Sequence, residues 1–165
     1  MTIIVSALDG AGELLREHSA THVVSLLGAG MAPPTFDLPR QRRLHLAFND
    51  IEAPAPGLTA PHGDHIDALL QFLESWDRRT ALLVHCWQGV SRSTAAGYIA
   101  GCLRDGAGQE AALAGRLREA APFASPNLLM VALADRVLRR GGAMTGAVAA
   151  IGRGRMDAPV RPFEL

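Results

Sequence analysis

In the run His85-Cys86-Trp87-Gln88-Gly89-Val90-Ser91-Arg92-Ser93, a thiol and a guanidinium stand six positions apart. The pair suits one kind of chemistry. A thiolate is a strong nucleophile, and the planar fork of an arginine grips two oxygens of an oxyanion at once. For both to meet one anion, the chain between them must turn with its N–H groups facing inward. That happens where a strand runs into the N-terminus of a helix. The same dipoles favour a thiolate over a thiol. Gly89 supplies a backbone conformation that a Cβ would resist.

The flanking sequence predicts those two elements. Residues 80–85 (TALLVH) form an almost continuously apolar run, as a buried central strand should. Residues 91–103 are Ala-rich and helix-like. Further strands are expected at 3–5, 22–27 and 44–48, with a short helix at 12–18. Ile66, Leu69, Leu70, Leu73 and Trp76 fall at helical steps, so 64–76 reads as an amphipathic helix with Asp64 as its cap. Helices at 109–120 and 126–140 follow, the latter with Pro126 in its first turn. The Pro-rich segments 28–39 and 53–63 are loops. The pattern is α/β, with a central, mostly parallel sheet flanked by helices. Residues 1–141 read as a single domain, and 142–165 as a weak helix and a C-terminal tail.

Composition narrows the function classes. The 165 residues are 48% hydrophobic and 19% charged, enough apolar material for a core and against disorder. Sixteen basic residues, all Arg, balance sixteen acidic ones, which argues against binding nucleic acid by charge neutralisation. Cys86 and Cys102 are too few for a disulfide-built secreted domain. Asp9 and Glu13 precede the first Arg, so no signal peptide is expected, and the stretch 80–103 is interrupted by Arg92. The expectation is a cytoplasmic protein without a membrane partner.

His-Cys, five residues, then Arg-Ser resembles the signature of the cysteine-dependent protein tyrosine and dual-specificity phosphatases. Ser125-Pro126-Asn127 extends the likeness, because small dual-specificity members carry a Pro-Asn at the start of a late helix. Small bacterial members offer the best analogy in size. The resemblance implies a phosphatase-type strand–loop–helix site and a phosphomonoester hydrolase acting on phosphorylated protein or small phosphomonoesters. No cofactor or metal is implied. Cys86 is then the nucleophile, and residues 87–92 (Trp87, Gln88, Gly89, Val90, Ser91, Arg92) are the phosphate cradle. Ser93 hydrogen-bonds the departing thiolate, and His85 supports the loop.

The family also needs a general acid on a loop before the cysteine. Asp50 fits its order of strand, acid loop, helix, strand and cysteine, lying 36 residues before Cys86. Glu52, Asp64 and Asp67 are rivals, the last two also explained as helix N-terminal acids. Two readings from other classes compete: a non-catalytic phosphate-binding module, and a rhodanese-like sulfurtransferase. Several residues have plain readings: Cys102 as core or a redox partner of Cys86, Phe36 as a loop anchor or a substrate platform, His62 and His65 as loop and helix-start residues, and Arg153 with Arg155 as a solubilising tail.

Overall fold

The computed structural model describes residues 2–165. In chain order the elements are β1 (Ile3–Ser6), α1 (Ala11–Glu17), β2 (His22–Leu27), a 3₁₀ turn (Arg40–Arg42), β3 (Arg43–Ala47), α2 (Gly63–Ser75) and β4 (Leu82–Cys86). Then come α3 (Arg92–Asp105), α4 (Glu110–Ala120), α5 (Leu128–Val137), α6 (Ala143–Ile151) and β5 (Phe163–Glu164). The sheet order is β3-β2-β4-β1-β5, with the first four strands parallel and β5 antiparallel to β1. This is the α/β architecture expected from the sequence, with β4 between β2 and β1.

Alternation along the strands divides the interior into two layers. Ile3, Val5, Val24, Leu26, Val84 and Cys86 face the larger core, built with α2 to α6. Ile4, Val23 and Leu83 face the smaller one, closed by α1 and by Phe36 from the 28–39 loop. Strands buried on both faces read as continuous apolar runs, which is why 22–27 and 80–85 were legible. On the smaller-core side, the register sets Ser6, His85, Ser25 and His45 in one row across four strands. Consecutive residues His85 and Cys86 therefore lie on opposite faces of the sheet.

Three details depart from the expectation. Pro126 lies just before α5 rather than in its first turn, because Asn127 is the N-cap. The N-cap of α2 is His62 rather than Asp64, which sits in the first turn. The His62 N–H donates to Nδ1 of His65 at 3.3 Å, and the two rings pack 3.8 Å apart. A pair of imidazoles can thus close a helix end without a carboxylate. The segment expected as a tail also returns to the body of the fold. Phe163 and Glu164 pair with Val5 and Ile4, and the Phe163 ring packs edge-on against Phe123. Among the described residues no helix is long and apolar enough to cross a membrane.

Candidate active site

β4 delivers Cys86 to the edge of the larger core, where the sheet ends and the chain turns back as α3. The turn is held from outside by its carbonyls. Trp87 C=O accepts from Leu8 N–H (3.2 Å), Val90 C=O from Ser125 N–H (3.0 Å) and Ser91 C=O from Asn127 N–H (3.3 Å). Thr94 Oγ1 donates to the Val90 and Ser91 carbonyls as well. With the carbonyls tied outward, the N–H groups of Gln88, Val90 and Ser91 donate to no protein acceptor among the described residues. An anion held by such a turn would meet amides rather than carbonyl oxygens.

Gly89 makes the turn possible. Its φ is +77°, and a Cβ there would lie 2.7 Å from Ala7 N and 2.9 Å from Ser6 C, main-chain atoms at the C-terminal end of β1. Its N–H donates to Cys86 Sγ at 3.2 Å. Ser93 Oγ lies 3.2 Å from the same sulfur. Cys86 is buried, so these two contacts stand where water would otherwise meet the sulfur.

Arg92 is buried too. One guanidinium nitrogen, Nη1, donates to the Phe48 carbonyl at 2.8 Å, which fixes the plane of the fork. Its Nε is buried and makes no hydrogen bond among the described residues. It lies 3.7 Å from Oδ2 of Asp50, the carboxylate expected to be the acid. A buried N–H of a cation without a hydrogen bond is a donor that an oxyanion entering the turn could use.

Asp50 is brought to the cradle by a closed loop. Asn49 pairs at its base with Thr59 in both directions, N–H to C=O at 2.7 Å and side-chain carbonyl from N–H at 2.9 Å. Asp50 Oδ1 accepts from the Ser91 hydroxyl at 2.7 Å and from the Asn127 amide at 2.9 Å. Asn127 also donates to Ile51 C=O and caps α5 by accepting from Met130 N–H at 3.0 Å. One asparagine thus joins the acid loop, the cradle and a helix start. The Pro-Asn likeness marked this residue, but nothing in sequence ties it to Asp50 across 77 positions.

The rival carboxylates stand elsewhere. Glu52 accepts from Leu128 N–H at 2.8 Å and pins the acid loop to α5. Asp64 is exposed beside His62, and Asp67 lies in the first turns of α2. Of the cradle residues, Trp87 and Gln88 are exposed, Gly89 is buried, and Val90 and Ser91 are half-buried. Ser91 also binds Asp50, a contact the sequence did not show.

His85 sits behind the loop. Its Nε2 bonds Ser25 Oγ at 2.7 Å and its ring packs 5.7 Å from Phe36. Burial pushes its pKa down to about 4; the Cys86 backbone opposes this and nearby His45 adds to it. The ring is therefore a neutral prop rather than a proton donor at neutral pH. Phe36 is buried against it and serves as a loop anchor. Cys102 is buried in α3, and burial raises its thiol to about 11. It lies ten residues beyond Arg92, about 15 Å along the helix, too far for a disulfide with Cys86. Among the described residues no group of three His, Cys, Asp or Glu could hold a metal ion.

No family model matches this sequence, and no curated protein matches it significantly. Solved structures do. The PTP-2 phosphatase of Cydia pomonella superposes with a TM-score of 0.62 at 19% identity, over 81% of this chain and 84% of that one. Human DUSP28 gives 0.59 at 20% identity, over 83% and 88%. The human tyrosine phosphatase-like serine/threonine/tyrosine-interacting protein gives 0.61 at 19% identity, over 82% and 89%. The chain has the fold of the protein tyrosine and dual-specificity phosphatases.

Proposed function

We propose that the protein is a phosphomonoester hydrolase that removes phosphate from phosphotyrosine, and from phosphoserine or phosphothreonine where these reach the thiol, through a cysteinyl-phosphate. The observation that carries this is the surroundings of Cys86. Its sulfur has Gly89 N–H and Ser93 Oγ each at 3.2 Å, and the neighbouring Arg92 keeps a buried Nε without an acceptor.

In the first step the Cys86 Sγ lone pair forms the S–P bond in line with the departing oxygen, while Arg92 and the loop amides hold the other three oxygens. The P–O bond breaks towards the leaving group, which takes a proton from Asp50. Oδ1 of Asp50 already accepts from Ser91 and Asn127, so Oδ2, which makes no hydrogen bond among the described residues and lies 3.7 Å from Arg92 Nε, is the oxygen to carry that proton. In the second step water attacks phosphorus and gives its proton to Asp50. The S–P bond breaks towards sulfur, and the Ser93 hydroxyl donates to the thiolate as it leaves.

The intermediate is the test. Acid-quenching during turnover of p-nitrophenyl phosphate, followed by peptide mass spectrometry, is expected to find one phosphoryl group on the peptide containing Cys86. Phosphopeptide binding by folded protein without turnover or adduct would leave the phosphate-binding module in its place.

A further inference from the structure

An open groove of about 840 Å³ runs from Asp50 and Ser91 past the acid loop to the end of α6. Its lining includes Ile51 and Pro54 of the loop after Asp50, Leu128 at the start of α5, Val148 of α6 and Arg153 just beyond that helix. Leu128 is 43% exposed, a large apolar side chain left open to solvent beside the site. The groove is continuous with the cradle through Asp50 and Ser91, the acid and its hydrogen-bond donor. Whatever is attached to a phosphate in the cradle leaves past Asp50, and so meets this surface first.

Arg153 is the one cation among the groove's lining residues, which also include the carboxylates of Asp50 and Glu52. The turn that carries it is fixed on both sides. Arg118 donates to Gly152 C=O at 2.8 Å, Gly154 N–H to Ser125 Oγ at 2.9 Å, and Arg155 N–H to Pro122 C=O at 2.8 Å. Arg155 itself pairs with Asp157 at 2.8 Å, whereas Arg153 has no carboxylate partner among the described residues. Arg153 is exposed on a pinned backbone, so its guanidinium is open to an acidic group lying in the groove. Glu52 also lines the groove, with one carboxylate oxygen accepting from Leu128 N–H at 2.8 Å.

We infer that the groove is a substrate-recognition subsite for a phosphoprotein segment, taking an apolar side chain against Leu128 and an acidic neighbour on Arg153. The inference rests on the phosphate-cradle reading of the Cys86 loop. It does not require turnover, and the test separates the two.

The probes are fluorescent phosphotyrosine peptides with one Leu and one Glu moved one position at a time along either side of the phosphotyrosine. A matched series carries Lys for Glu. Binding is measured by anisotropy on the Cys86→Ser protein, which cannot form the cysteinyl-phosphate. At the best position the Glu peptide should bind about fivefold tighter than its Lys twin, the scale of an exposed ion pair. Cys86→Ser/Arg153→Glu should reverse the order, and Cys86→Ser/Leu128→Ser should weaken both peptides. Equal binding of the Glu and Lys peptides at every position would overturn the inference, as would a preference that survives Arg153→Glu. Wild-type turnover of p-nitrophenyl phosphate, measured alongside, scores the hydrolase reading separately. A folded enzyme without turnover whose Cys86→Ser form keeps the reversible preference would sink that reading and uphold the groove.

Discussion

Replacing Gly89 by alanine tests whether the cradle is as tightly built as its geometry implies. A Cβ at this position would stand 2.7 Å from Ala7 N and 2.9 Å from Ser6 C. Neither atom can easily yield, because β1 lies inside the sheet between β4 and β5. Restoring ordinary contact requires the loop to move by about 0.7 Å, and the nearest functional contact is the Gly89 N–H held 3.2 Å from Cys86 Sγ. Misplacing a reacting group by about 1 Å costs on the order of 10²-fold in rate, so kcat/KM for p-nitrophenyl phosphate should fall by about that factor. The positive φ adds about 1–2 kcal/mol of strain, which lowers Tm by roughly 2–8 °C in a domain of this size. Gly30→Ala is the control: its φ is +81° with nothing within 4 Å of the added Cβ, so it carries backbone strain without the collision. Steady-state kinetics and thermal denaturation of the two variants give the comparison. Gly89→Ala with kcat/KM within about twofold of Gly30→Ala would refute the reasoning, since a colliding Cβ would then have cost the cradle nothing.

Other perturbations follow from the same contacts. Asp50→Asn keeps an acceptor for Ser91 and Asn127 but cannot donate a carboxylic proton; kcat on a phosphotyrosine peptide should fall by about 10²–10⁴-fold, and less on p-nitrophenyl phosphate, whose leaving group needs little protonation. Asn127→Ala removes the α5 cap and the bond that positions the acid, so urea unfolding should show a loss of about 1–2 kcal/mol together with a lower kcat. In the folded chain His85 is held at about 4, against 6.5 for the unfolded chain. Between those values the unfolded state binds the extra proton, so this contribution is complete above 6.5 and is lost as pH falls towards 4. From pH 7 to pH 5 the loss is about 2 kcal/mol, read as the part of the wild-type pH dependence of unfolding that is absent in His85→Gln.

What the sequence revealed and what it hid divide along the range of the interactions. The Cys86 cradle is a run of consecutive residues between a buried strand and a helix, so its chemistry is written locally. Asp50 was legible because it follows a strand and opens a Pro-rich loop. Its partners were not: Ser91 lies 41 positions away and Asn127 lies 77, and hydrogen bonds at such separations leave no periodic trace. The same holds for Ser25, which reaches His85 across 60 residues because β2 and β4 are neighbours in register. β5 escaped notice because it has two residues in a Pro-rich stretch and exists only through pairing with β1. His62 displaced Asp64 as the cap of α2 because the His65 ring accepts from the His62 N–H, as a carboxylate usually does. Arg153 read as one of two tail arginines; its distinction from Arg155 is that only the latter has Asp157 beside it.

The most direct test of the central claim is phosphate release from a phosphotyrosine peptide in the presence of EDTA, by wild type and by Cys86→Ser at equal folded concentration. The expected result is turnover by the wild type and none by Cys86→Ser, because the serine hydroxyl offers no thiolate to the cradle. Release that survives Cys86→Ser, or is absent from folded wild type, would contradict a mechanism through the Cys86 sulfur.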